Sequence, residues 1–166
     1  MTISQSPEEI QAAILLQSKC ELIRVALREC HASAEGTEDT MKAPFGLHIS
    51  HNSTAHPIVD AILRIGVRFQ IQGLDSSEPP SQLFGIECVF DLDYQIQDRS
   101  FQPSEASLVA FKDGNAVFNC WPYTRELVQS MALRMSINPP VLPFLRIFPK
   151  RIQPDEAATP KPVEPK

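Results

Sequence analysis

Three histidines, His48, His51 and His56, have the spacing in this chain that most invites metal chemistry. Imidazoles hold zinc or copper when several ligands converge on one point. On an extended segment, residues three apart point to opposite faces, which separates His48 from His51. No cysteine stands near them, so solvated loop histidines are the default reading and no metal is called for. The cysteines Cys20, Cys30, Cys88 and Cys120 lie far apart with no C-x-x-C pair. Spread thiols of this kind read as reduced, mostly buried residues. Tyr123, Arg125 and Glu126 cluster in sequence but put no nucleophile beside a base. There is no phosphate-binding glycine loop and no G-x-S-x-G. Nothing positive supports catalysis or a cofactor, and the reading is a non-enzyme.

A different chemistry stands near the end of the chain. Val141, Leu142, Phe144, Leu145, Ile147 and Phe148 form an apolar run, and Pro139, Pro140 and Pro143 deny it a helix. Such a segment either packs on a sheet or lines an apolar groove. An exposed apolar groove suits a protein that holds other polypeptides, whose common features are hydrophobic surface and free backbone. Trp121, Phe118 and Tyr123 offer a second aromatic group, but aromatics on an amphipathic helix more often belong to a core or an oligomer seam.

Composition narrows the class. The 166 residues, 43% hydrophobic and 21% charged, suffice for one domain with tails. A formal charge of −5 argues against nucleic acid, whose partners carry a basic face. The opening MTISQSPEEIQ lacks a basic stretch followed by an apolar one, and no apolar run approaches the ~20 residues of a membrane span. The expectation is a cytoplasmic protein without membrane insertion, in which the sequon at Asn52 carries no meaning.

The elements follow from periodicity. Ser6, Pro7 and Glu9 form a capping box that starts a helix running to about residue 17. A strand covers about 20–33, where Ile23, Val25 and Leu27 alternate with polar neighbours. Cys30 and Ala32 fall on the opposite parity, which predicts a β-bulge near Arg28-Glu29. A polar loop spans 35–43. Phe45, Leu47 and Ile49 mark a short second strand. Residues 61–71 and 84–96 alternate cleanly around the turn at 75–80 and predict an antiparallel hairpin with one buried face. A short helix over 104–112 is expected to break at Asp113-Gly114, with a long helix over 115–136 that tolerates Pro122. The prolines after it forbid further regular structure, and the proline-rich tail from Pro154 reads as disordered. The fold class is α+β: a four-stranded antiparallel sheet with a long helix packed on one face. Three units are expected: an N-terminal helical extension over 1–18, the domain over 19–150 and the tail over 151–166.

Several of these segments resemble the SecB export-chaperone family. Residues 119–126, N-C-W-P-Y-T-R-E, with the prolines at 139–143, are similar to the family stretch that opens its main helix and to the proline-bearing segment beyond it. Residues 24–34, R-V-A-L-R-E-C-H-A-S-A, look like the family's opening strand, and 84–88, F-G-I-E-C, like a later one. The matching order spans about 22–147. Two features depart from the family: its second C-terminal helix has no room here, and the capped N-terminal helix is extra. In both respects the chain looks more like divergent SecB-like proteins.

The resemblance implies a holdase that binds non-native polypeptides, for export through a SecA-type motor or as a dedicated chaperone of an antitoxin. It implies a homo-oligomer, a dimer or a dimer of dimers, and no cofactor. It places motor contact at Glu29 and Glu87, a further acidic position falling at Ser33. The competing reading pairs Arg64 and Arg68 with Asp91 and Asp93 on the outer face, merely solubilising the sheet. The client site is expected at Val141, Leu142, Phe144, Leu145 and Phe148. The surplus apolar positions of the long helix place an oligomer seam at Trp121, Leu127 and Met131. The alternative function is an oligomeric adaptor with this fold and no general chaperone activity.

Overall fold

The computed structural model describes residues 1–36 and 44–149. Most of the loop expected over 35–43, and the proline-rich tail, lie outside the described residues. The elements are β1 (Thr2–Gln5), α1 (Pro7–Gln17), β2 (Cys20–Ala34), β3 (Gly46–Ala55), β4 (Ile62–Leu74), β5 (Gln82–Ile96), α2 (Glu105–Phe111), α3 (Val117–Arg134) and β6 (Arg146–Pro149).

β2, β5, β4 and β3 lie side by side in that order as an antiparallel sheet. Alternation sets its inner face: Leu63, Ile65, Val67, Phe69 and Ile71 of β4 are buried with Ile86, Cys88, Phe90 and Leu92 of β5. The bulge near Arg28 is present, as a register shift between Leu27 and Glu29. A second shift between Leu22 and Arg24 makes Ile23 an extra residue. Leu22 therefore takes the place opposite Tyr94, and Ile23 is exposed. β3 is longer than expected, because its polar half, from Ser50 to Ala55, pairs with β4 as fully as its apolar half.

The long helix covers the inner face. Ser104 caps α2, and the expected break at Asp113-Gly114 does not occur: Lys112–Ala116 is a π-helical turn that joins α2 to α3. Glycine there leaves room for Gln5. A Cβ on Gly114 would lie 2.8 Å from the side-chain amide of Gln5, too close for real atoms. Val117, Cys120, Trp121, Thr124, Leu127, Val128 and Ala132 face the sheet. Trp121 packs on Phe69 with ring centroids 5.4 Å apart, and Asn119 donates to the Tyr94 hydroxyl. Pro122 is on the exposed side, where solvent is open to the backbone group whose bond it removes.

The first and last of the described residues close on each other. The capping box at Ser6 and Glu9 forms with both bonds in place. α1 buries Ala13 and Leu16 and packs against α2. Contrary to the expectation of no regular structure after the prolines, β6 forms, pairing in parallel with β1. Neither strand shows a clear sequence period, since each has only four residues.

Candidate polypeptide-binding face

α3 ends in a turn that sets the path of the chain beyond it. Ser136 takes a left-handed conformation (φ 58°), its amide bonds to Leu133 and that of Ile137 to Ala132. This is a Schellman motif with serine where glycine is usual. Buried Ile137 seals it, and the chain turns back so that Pro143 reaches Trp121 and Phe144 reaches Arg125.

In that segment, proline spacing and burial divide the apolar side chains into two sets. Leu142 and Leu145 are 2% and 7% exposed, and they fasten the segment to the core. Val141, Phe144 and Phe148 are 84%, 72% and 46% exposed. The Trp121 indole donates to the carbonyl of Pro143 at 3.0 Å, fixing the segment's middle. Phe144 lies over the Arg125 guanidinium, 5.2 Å from carbon to ring centroid, a cation–π contact. The Nε of Arg125 is buried and has no hydrogen-bond partner there.

Beside the segment runs a groove of about 610 Å³. Met1, Thr2 and Pro143 form one wall, and β3 from Leu47 to His51 forms the other. β3 is an edge strand, so its outer side carries backbone groups that no strand of the described residues pairs. The groove thus combines apolar contact from Leu47 and Ile49 with a free strand edge. His51 points inward and packs near Phe69, with centroids 5.9 Å apart, while His48 lies beside Gln72 on the other face. Burial holds the His51 imidazole below its ordinary value, opposed by Asp113. Among the described residues, no group of three or more His, Cys, Asp or Glu is placed to hold a metal ion.

The outer face of the sheet has another character. Arg64 donates to Asp93 through two nitrogens and Arg24 through one. Arg28 bonds Asp91, and Arg68 pairs with both Glu87 and Glu29. The expected Arg64–Asp93 pairing is present. Arg68 instead stands opposite Val89 and reaches the glutamates, while Asp91 stands opposite Gly66. Chiefly the Arg64 hydrogen bond, with help from Arg24, holds the Asp93 carboxyl below its ordinary range. Two grooves of about 520 and 810 Å³ lie on this face, the larger floored by Asp91 and Asp93. Arginines already bind those carboxylates.

The residues assigned from sequence therefore fall in three places. Glu29 and Glu87 sit together on the outer face through Arg68. Trp121 and Leu127 are buried within the single chain and Met131 is half-buried, while Phe118, Tyr123 and Leu133 of the same helix are exposed. Val141, Phe144 and Phe148 are open to solvent, and Leu142 and Leu145 are not. Burial pushes the thiols of Cys88 and Cys120 up to about 12 and that of Cys20 to about 11, so they stay protonated and unreactive at neutral pH. Sequence reasoning missed the β3 wall and β1.

No family model and no curated protein matches this chain. Among solved structures, it is similar to the Mycobacterium tuberculosis Rv1957 SecB-like chaperone, in complex with a ChAD peptide from the Rv1956 HigA1 antitoxin. The TM-score is 0.68 at 15% identity, covering 83% of this chain and 99% of the other. The fold is SecB-like. A protein of unknown function from Streptococcus agalactiae aligns over 75% of this chain and 97% of its own, at 12% identity and a TM-score of 0.41. No helix among the described residues is long and apolar enough to cross a membrane.

Proposed function

We propose that this protein is a divergent member of the SecB family that holds non-native polypeptides in extended form. The observation that carries the reading is the division of residues 141–148. Two leucines and the Trp121–Pro143 bond fix the backbone, Val141, Phe144 and Phe148 are exposed to solvent, and Pro143 of the same segment lines a groove with a free strand edge. Large apolar side chains left exposed add little to a protein's own stability, whereas a holdase uses them for apolar contact. The likeness to a chaperone whose structure holds an antitoxin peptide supports a peptide as the occupant. Its setting would be the cytoplasm, with an antitoxin or an export precursor as client.

The partner assignments rest on charge and exposure. Contact with a SecA-type motor through Glu29 and Glu87 would compete with Arg68, which pairs with both. A homo-oligomer would be joined by the exposed face of α3, with Phe118, Tyr123 and Leu133, and by the open edge of β2, with Ile23 and Leu27. Trp121, Leu127 and Met131 would support that seam from beneath. The adaptor alternative rests on the same surfaces without client binding. Aggregation of an unrelated unfolding protein, followed by light scattering, separates the two. A chaperone suppresses it at about stoichiometric ratio, and an adaptor leaves it unchanged.

A further inference from the structure

We infer that the edge of β6 is a docking site for an extended polypeptide strand, and that β1 of this chain fills it as a stand-in which an incoming strand displaces. The inference rests on the polypeptide-holding reading above. β1 and β6 form a two-stranded parallel ribbon outside the main sheet, with Thr2 opposite Arg146, Ile3 opposite Ile147, Ser4 opposite Phe148 and Gln5 opposite Pro149. A ribbon of two short strands is marginal by itself, and Pro149 has no N–H to add to it.

Two side chains hold β1 in place. Ile3 is buried in the core. Gln5 is buried too, and its Nε2 donates to the carbonyl of Ala110 at 2.7 Å. That carbonyl lies just before the π-helical turn, where the helical hydrogen-bond ladder slips by one residue. Gly114 leaves the space the amide occupies. Thr2 and Ser4 point to solvent. The site therefore reads an extended strand at two points: an aliphatic side chain, then a neutral side-chain amide two residues later. A strand without the donor gives up this buried hydrogen bond, which disfavours it. The fitting partner is an extended segment of the pattern aliphatic-x-Gln, its remaining positions free. Because Met1 and Thr2 wall the neighbouring groove, release of β1 also widens that groove. While β1 is docked, the apparent affinity for such a segment is reduced by the fraction of molecules in which the site is free.

The test is hydrogen exchange on the full chain, alone and saturated with a reduced, carboxymethylated unfolded protein. Displacement predicts that the amides of residues 2–5 lose protection in the complex, and that a synthetic peptide of residues 1–6 competes with the unfolded protein. The Ile3→Ser/Gln5→Ser variant should bind that protein at least about fivefold more tightly. The wild-type exchange result stands even if the variant is unstable. Binding with residues 2–5 still protected overturns this inference and leaves the polypeptide-holding reading intact. Absence of binding by both wild type and variant overturns that reading, and this inference with it.

Discussion

The indole of Trp121 in the long helix is hydrogen-bonded to the carbonyl of Pro143, 22 residues on, and that bond fixes the segment that presents Phe144. The same ring packs on Phe69 of β4, so one side chain ties sheet, helix and candidate client segment together. Trp121→Phe keeps an aromatic ring and removes the donor. It should lower stability by about 1–3 kcal/mol, since the Pro143 carbonyl loses its partner. Trp121→Ala should cost about 3–5 kcal/mol, the range for aromatic truncation in a core. Urea unfolding of both variants measures the difference.

Exposure separates the phenylalanines from the leucines of the same segment. Phe144→Ser/Phe148→Ser should change stability by less than about 1 kcal/mol, as surface substitutions do, and should weaken client binding. Leu142→Ala should cost about 2–5 kcal/mol, because that side chain is fully buried. Thermal melts paired with binding of an unfolded protein check both. A large loss of melting temperature in the double variant would place those phenylalanines in the core.

The register of the central hairpin predicts a sharp contrast. Phe90→Asp puts an unpaired charge on the buried face and should unfold the domain. Asp93→Asn removes a carboxylate that two arginines share, at a cost of about 1 kcal/mol, modest because both arginines are half-exposed. Asp91→Asn, which loses only Arg28, should cost less. Circular dichroism melts of the three variants test the ranking.

Acid should act in two steps. Burial favours the neutral imidazole of His51, so its contribution to stability is complete above 6.5 and declines as the pH falls from there toward its lowered folded value. The carboxylates act lower. The hydrogen bond from Gln70, then the Arg68 charge, lowers Glu87 from its ordinary 4.5, and Arg64 lowers Asp93 from 3.8. A depressed carboxyl adds stability that is complete above its ordinary value and is lost as pH falls through the folded one. Melting temperature should therefore drop first just below pH 6.5 and again below 4.5. His51→Gln should remove only the first step.

Much of this fold was legible in the residues. Period-two alternation fixed β4 and β5, the parity slip at Cys30 located one bulge, and Ser6 with Glu9 located the first helix. The bulge at Ile23 was not legible, because Leu22 and Ile23 are both apolar and alternation cannot say which of two neighbours faces in. Gly114 read as a helix breaker because its reason, the Gln5 amide beside it, comes from a residue more than a hundred positions away. β1 and β6 were hidden for the same cause. Each is too short to show a period, and their pairing joins opposite ends of the described chain. At the site, sequence located the apolar segment but not its division, since burial of Leu142 against exposure of Phe144 depends on how the Schellman turn and Trp121 lay the backbone down.

Photo-crosslinking tests the central claim most directly. A photoreactive phenylalanine analogue replaces Phe144 in one variant, and Val59, on the wall of the larger outer-face groove, in another. Each is irradiated with a labelled, permanently unfolded polypeptide. Crosslinking from position 144 and little from position 59 is the result the account predicts. Crosslinking from 59 and none from 144 would contradict it, and would move the client to the arginine-lined face of the sheet.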